Sequence, residues 1–273
     1  MGPVAILGID VFRRIMSGMG ESEHSRNEQE SIGNEIRFEG GTPAEKRQVL
    51  DLCTATRLPL DNVRTIRIVE DEKSKKADTE TFDAATYEPR YKRLTIYRRM
   101  LNRNDLPETV IHELAHASSP FETGNDRLYG GHEQRLEMGK MIIKIAKSLL
   151  AADRALNTYH AKLTRKYKLN PFRHPIQSLP KEVLYEETWA ILVELRFTDP
   201  SQLTYIQRSL QELQEEKIIS LKKPPQLISE EHSSAPKGVD KALLALMPDS
   251  SMDDLRALLA RFVAPPRSRY SRY

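Results

Sequence analysis

The amino-acid sequence predicts a mixed α+β fold, with strands in the first hundred residues and a mainly helical second half. Two short apolar stretches, 62–69 and 93–97, have the composition and alternation of β-strands. From about residue 105 to residue 217, apolar residues instead recur every three or four positions, which is the spacing of amphipathic helices. A run of strands followed by a run of helices is typical of the α+β class.

A flexible arm and a capped helix are expected ahead of the first of these strands. Much of segment 1–34 is polar, charged and glycine-containing, so it has little apolar surface to bury and is predicted to be a flexible arm. Thr42 is placed to cap a helix, because Pro43 suits the first turn and Glu45 follows three residues after the cap. Pro59 ends this predicted helix.

Four helices are predicted between about residues 105 and 217. The first begins at Asp105, which forms a capping-box signature with Glu108 three residues later. A long helical pattern follows over about 132–167. Two further helices are predicted at about 181–197 and 200–217, the first of them strongly apolar.

Changes in composition divide the chain into a core and several attachments. The predicted units are a flexible N-terminal arm at 1–34, a core domain at 35–218, a proline-containing linker at 219–238, a short helical appendage at 239–263 and a tail at 264–273. The apolar face of the appendage could recruit a substrate or a partner. The tail alternates arginine with tyrosine and could touch RNA or an acidic partner, although a solvated tail is the default expectation.

The bulk composition is typical of a soluble globular protein and names no partner. The 273 residues contain 42 Lys and Arg against 39 Asp and Glu, and this net charge of +3 does not favour a nucleic-acid-binding protein. No apolar run is long enough to span a membrane, and the N-terminus lacks a secretory signal. Synthesis in the cytoplasm is therefore expected, with signal-independent export as an alternative. No feature of the sequence indicates an oligomeric state.

The single cysteine restricts the chemistry available to the chain. Because Cys53 has no second cysteine to pair with, an intramolecular disulfide is impossible and a thiolate zinc site is not expected. Cys53 lies in the first predicted helix, where a small residue of this kind is usually packed in the interior. We therefore expect Cys53 to be structural.

A short motif on the helix that begins near Asp105 carries the main chemical signal. Residues 112–116 read His-Glu-Leu-Ala-His. Two histidines four positions apart on a helix point the same way, so His112 and His116 can bind one Zn²⁺. Glu113 then lies beside the open position of the metal, where it can act as general base on a zinc-activated water. The motif predicts zinc-dependent hydrolysis of peptide bonds in a protein or peptide substrate.

The third protein ligand of such a site is open between two candidates. Glu187 shares a helix face with apolar residues, where a carboxylate is costly unless it is paired or bound to a metal. Glu186 is its fallback, and Glu194 could support the ligands from behind. His132 is the alternative, because it follows a glycine turn about sixteen residues after His116.

These residues resemble the zincin metallopeptidases. Residues 112–116 match the zincin motif at every required position, and 187–190 (Glu-Thr-Trp-Ala) resemble the Glu-x-x-Ala of the gluzincins. The resemblance covers about 36–217. In many gluzincins an aspartate stands four residues after the ligand glutamate, where this chain has Ile191. If His132 were the third ligand, the closer similarity would be to the SprT-like peptidases.

The gluzincin resemblance implies a fold and a role for each matched residue. It implies a small twisted sheet over the motif helix, whose edge strand, here expected at 93–97, pairs with an extended substrate. It also implies His112, His116 and Glu187 as zinc ligands and Glu113 as general base.

Other roles and functions are weaker expectations. Tyr185, His160 or His174 could donate a hydrogen bond to a tetrahedral oxyanion, although each is more readily explained as structural. A zincin-like module that holds zinc without hydrolysis is the main alternative function. A nucleic-acid-associated protein that acts through the basic tail is a third possibility.

Overall fold

The part of the chain that the computed structural model describes forms a mixed α+β fold, as predicted. The described residues are 36–70, 85–158, 166–169, 171–172, 176–222 and 225–227. Within them lie a four-stranded sheet and five α-helices. The strands are β1 (Arg37–Glu39), β2 (Thr65–Val69), β3 (Ala85–Glu88) and β4 (Arg93–Tyr97). The helices are α1 (Pro43–Thr56), α2 (Leu106–Ala117), α3 (His132–Thr158), α4 (Lys181–Thr198) and α5 (Pro200–Glu215).

The sheet has the strand order β1-β2-β4-β3. Strands β1, β2 and β4 are parallel, and β3 joins β4 in the antiparallel direction. The predicted strand at 93–97 is confirmed, but its expected position at the edge of the sheet is wrong. A tight 3-10 turn at Pro89–Tyr91 folds β3 back onto β4, so that β3 occupies the edge. The sequence did not indicate β3, because four residues next to a charged loop carry too short an alternating pattern.

The first helix begins at the predicted cap residue Thr42, which forms a capping box with Glu45. The backbone N–H of Thr42 donates to the Glu45 carboxylate at 2.6 Å, and the N–H of Glu45 donates to the Thr42 hydroxyl at 3.3 Å. Each bond satisfies an N–H group that has no partner within the helix. The helix ends at Thr56, and Arg57 takes the left-handed conformation (φ 56°) ahead of Pro59.

The motif helix α2 begins where predicted but without the predicted capping box. The Asp105 side chain makes no cap hydrogen bond and instead receives two from Arg103, at 2.8 and 2.6 Å. A bidentate, charge-assisted pair is stronger than a single bond from a backbone N–H, and this competition explains the difference. Pro107 lies in the first turn, as its fixed φ angle favours.

Helix α2 packs with its apolar face in the protein core. Its buried residues include Val110, Ile111, Leu114 and Ala115, and it contacts α4 and the sheet strand β3. Burial of a large aliphatic side chain contributes about 1.5–3 kcal/mol, so this face orients the helix and turns its polar stripe outward. Helices α4 and α5 confirm the predictions for those segments, and α3 is described from 132 to 158.

The segments that flank the core are described only in part. The arm at 1–34, the appendage at 239–263 and the tail at 264–273 lie outside the described residues. The first part of the predicted linker at 219–238 packs against the core. Ile219 and Leu227 are buried, and the N–H of Leu227 donates to Gln207 at 2.8 Å. No helix in the described ranges is both long and apolar enough to cross a membrane.

Cys53 is buried on α1, as expected for a structural residue. Its side chain is fully enclosed in the core. Burial raises the pKa of the thiol to about 12, because the thiolate would lose its hydration. At neutral pH Cys53 is therefore a neutral thiol.

Candidate metal centre

The two histidines of the motif lie one turn apart on the polar stripe of α2. The side chains of His112 and His116 are 21% and 15% exposed, so both rings stand at the edge of the core. Their ring centroids are 5.0 Å apart, with 75° between the ring planes. This spacing follows from the helix itself, which brings residues four apart onto one face.

A carboxylate from α4 completes a cluster with these histidines. One oxygen of Glu187 lies 3.4 Å from Nε2 of His112, and the other lies 3.6 Å from Nε2 of His116. One ligand atom from each of the three residues falls within 4.8 Å of the others, an arrangement that could hold a metal ion. Imidazole nitrogens and a carboxylate oxygen are ligands that zinc takes in proteins. The donor set of this cluster could therefore hold a zinc ion.

A second carboxylate of α4 holds the other side of the His112 ring. Nδ1 of His112 lies 2.9 Å from the carboxylate of Glu194. Glu194 follows Glu187 by seven residues, which is two helical turns, so both carboxylates project from one face of α4. With a proton on Nδ1 for this bond, Nε2 keeps its lone pair for a metal.

The charge of His112 depends on these two carboxylates. Burial lowers the pKa of His112, but the hydrogen bonds to Glu187 and Glu194 and the charges of Glu113 and Glu187 together raise the pKa to about 10. At neutral pH the ring of the metal-free protein is therefore protonated. A metal ion at Nε2 must displace that proton, so the proton and the metal compete for one nitrogen.

Glu113 lies between the motif histidines and the edge strand of the sheet. Its carboxylate accepts a hydrogen bond from the backbone N–H of Tyr87 in β3. Burial raises the pKa of Glu113, while the nearby His116 and His112 act in the opposite direction. A raised carboxyl pKa brings a group closer to the range that suits a general base.

The other candidate ligands lie elsewhere. The side chain of His132 is 65% exposed and its Nδ1 lies 3.5 Å from Asp126 and 3.0 Å from Arg135. The charge of Glu186 affects a different group, Glu122. Burial raises the pKa of Glu122, and the negative charge of Glu186 raises it further. Within the described ranges, the one cluster of three metal-binding side chains is that of His112, His116 and Glu187.

Of the residues considered as oxyanion donors, Tyr185 alone lies within the described part of the chain. The Tyr185 ring stacks on Phe121, with centroids 6.0 Å apart. His160 and His174 lie outside the described residues. The structure therefore assigns no oxyanion donor among them.

The end of the motif helix is held by hydrogen bonds from three distant side chains. The indole N–H of Trp189 donates to the carbonyl of Ala115 at 2.8 Å, and the Asn62 amide donates to that of Ala117 at 3.1 Å. The Tyr129 hydroxyl donates to the carbonyl of Ser118. The C-terminal carbonyls of a helix lack partners within it, so these contacts fix where α2 ends. No local pattern in the sequence reveals the contact of Trp189, because its partner Ala115 lies 74 residues away.

Comparison with known proteins identifies no similar protein. Neither family models, nor curated proteins, nor solved structures give a significant match to the chain.

Proposed function

We propose that this protein is a zinc-dependent metallopeptidase that cleaves peptide bonds of a protein or peptide substrate. His112, His116 and Glu187 would hold the metal, and Glu113 would act as general base. The observation that carries the proposal is the position of the Glu187 carboxylate, 3.4 and 3.6 Å from Nε2 of the two motif histidines. That carboxylate belongs to a different helix, 71 residues after His116 in the sequence.

The proposed chemistry divides between the metal and the side chains of the protein. A zinc ion supplies Lewis acidity when bound, which polarises the scissile carbonyl and acidifies water. Glu113 accepts a proton from the attacking water and passes it to the leaving amine, a role that suits its buried carboxyl group. Glu194 keeps the His112 ring in one tautomer and orientation through its contact with Nδ1.

The edge strand β3 is the surface on which an extended substrate would bind. Among the described strands, β3 lies at the end of the sheet, so its outer edge could accept another strand through main-chain hydrogen bonds. The same strand reaches the general base, because the N–H of Tyr87 donates to Glu113. A substrate strand added along β3 would therefore pass beside the proposed metal ligands.

Metal content of purified protein tests the ligand set. Mass spectrometry of the wild type is expected to find one zinc per chain after reconstitution. Glu187→Ala is expected to lose most of this zinc, whereas His132→Ala serves as the matched control and keeps it. Zinc loss in His132→Ala with retention in Glu187→Ala would reject the proposed ligand set, and absence of zinc from the wild type would reject the metallopeptidase proposal.

The Glu113→Gln variant separates catalysis from metal binding. Glutamine keeps the shape of the side chain but cannot accept the proton, so the variant should bind zinc and lose peptidase activity. The assay is cleavage of a peptide library with and without added zinc. Cleavage by Glu113→Gln at the wild-type rate would remove the general-base role. Zinc binding without any zinc-dependent cleavage by the wild type would favour a zinc-binding module instead.

A further inference from the structure

A groove lined by lysines lies on α3, and none of its residues belongs to the proposed metal site. Helix α3 contributes Lys140, Lys144 and Lys147, and the chain after α5 contributes Lys222. The groove has a volume of about 350 Å³. Lys140, Lys144 and Lys147 follow at intervals of four and three residues, so they line one face of the helix over about 10 Å.

Most lysines of this groove have no neighbouring carboxylate that could balance their positive charge in the described part of the chain. Lys140 pairs with Glu137 at 2.7 Å. For Lys144, Lys147 and Lys222, no carboxylate partner occurs in the ranges that the structure describes. All four lysine side chains are exposed where they line the groove, and three of them have no carboxylate partner among the described residues.

The walls of the groove strengthen the attraction for an anion. Ile143 and Leu221 are half-buried and line the groove between the lysines. Apolar walls and the aliphatic lysine stems exclude part of the water, and charges interact more strongly where water is excluded. An anion with several charges would relieve the mutual repulsion of the ammonium groups.

We propose that this groove binds a compact polyanion that carries several phosphate groups. Each ammonium offers three donors as a point charge, which suits phosphate oxygens distributed over a small molecule. The volume lies near the lower end of the range of about 300–1,000 Å³ for small-molecule sites, so a ligand of a few phosphates fits and a nucleic-acid duplex does not.

Titration of the full-length protein with inorganic tripolyphosphate tests this site by calorimetry. Metal-free protein is used, because polyphosphates chelate zinc. The wild type is expected to bind one tripolyphosphate per chain, more weakly as salt increases. Lys144→Gln/Lys147→Gln should lower the affinity at least tenfold. Lys144→Arg/Lys147→Arg, which keeps both charges, should bind within a few-fold of the wild type.

The matched control removes the same charge outside the groove. Lys46→Gln/Lys181→Gln is expected to bind as the wild type does, with folding of all variants checked by circular dichroism. An equal loss of affinity in this control would show diffuse attraction and overturn the proposal, as would the absence of binding to the wild type. Tighter, lysine-dependent binding of a single-stranded oligonucleotide with three phosphates would also overturn it and assign the groove to nucleic acid.

Discussion

The carboxylate of Glu194 offers a test of the proposed metal centre that leaves the three proposed ligands in place. Glu194 lies 2.9 Å from Nδ1 of His112, while Nε2 of the same ring faces Glu187. We predict that Glu194→Ala weakens zinc binding by about 10- to 100-fold, because the ring loses the acceptor that sets its tautomer and orientation.

The magnitude follows from the type of contact and its exposure. A hydrogen bond to a charged group contributes about 1.5–3 kcal/mol, and each 1.4 kcal/mol is a factor of ten in affinity. The Glu194 side chain is 25% exposed, so water can replace part of the lost contact. Glu194 also stabilises the protonated ring of the metal-free protein, which offsets part of its effect on zinc. We therefore expect a loss in the lower half of the range.

Zinc affinity is measured by competition with a chromophoric chelator at a fixed pH. Glu186→Ala is the matched control, because it removes the same charge from the same helix but from a residue whose charge acts on Glu122. Glu194→Gln retains an acceptor oxygen and should recover part of the affinity. Replacement of zinc by Co²⁺ adds an absorption spectrum that reports the coordination geometry.

Two results would refute the reasoning about Glu194. Unchanged zinc affinity in Glu194→Ala would mean that the contact to Nδ1 does not support the metal-binding ring. An equal loss in Glu186→Ala would show that the effect is not specific to the hydrogen bond between Glu194 and Nδ1.

Three further predictions concern protonation and packing. His112 has a pKa of about 10 in the metal-free protein, so zinc binding should release its proton and the affinity should rise as pH increases towards 10. Calorimetry in buffers of different ionisation enthalpy counts the protons, and a value of zero would contradict the prediction. Trp189→Phe removes the hydrogen bond to the Ala115 carbonyl and should lower the free energy of unfolding by about 2–4 kcal/mol. Denaturant titration measures this value, and an unchanged free energy of unfolding would contradict the packing argument. The Cys53 thiol should resist a thiol reagent at pH 8 in the native protein and react after denaturation, because burial raises its pKa to about 12; rapid native reaction would contradict its burial.

Local signals in the sequence were sufficient for elements with long or chemically distinct patterns. The Thr42 helix cap and the strand 93–97 agree with the sequence prediction. Prediction failed where a nearby group competes, as Arg103 does for the Asp105 carboxylate. It also failed for β3, whose position depends on pairing with β4 and not on its own four residues.

The order of apolar patterns along the chain is enough to predict the α+β class, and helical spacing is enough to place His112 and His116 on one stripe. The distant groups that meet this stripe depend on how the helices pack. The docking of α4 against α2 brings Glu187 and Glu194 to opposite nitrogens of His112 and leaves His132 exposed with Asp126. Such contacts follow from the packing of whole apolar faces, and the chain order of two helices does not reveal how those faces will pack.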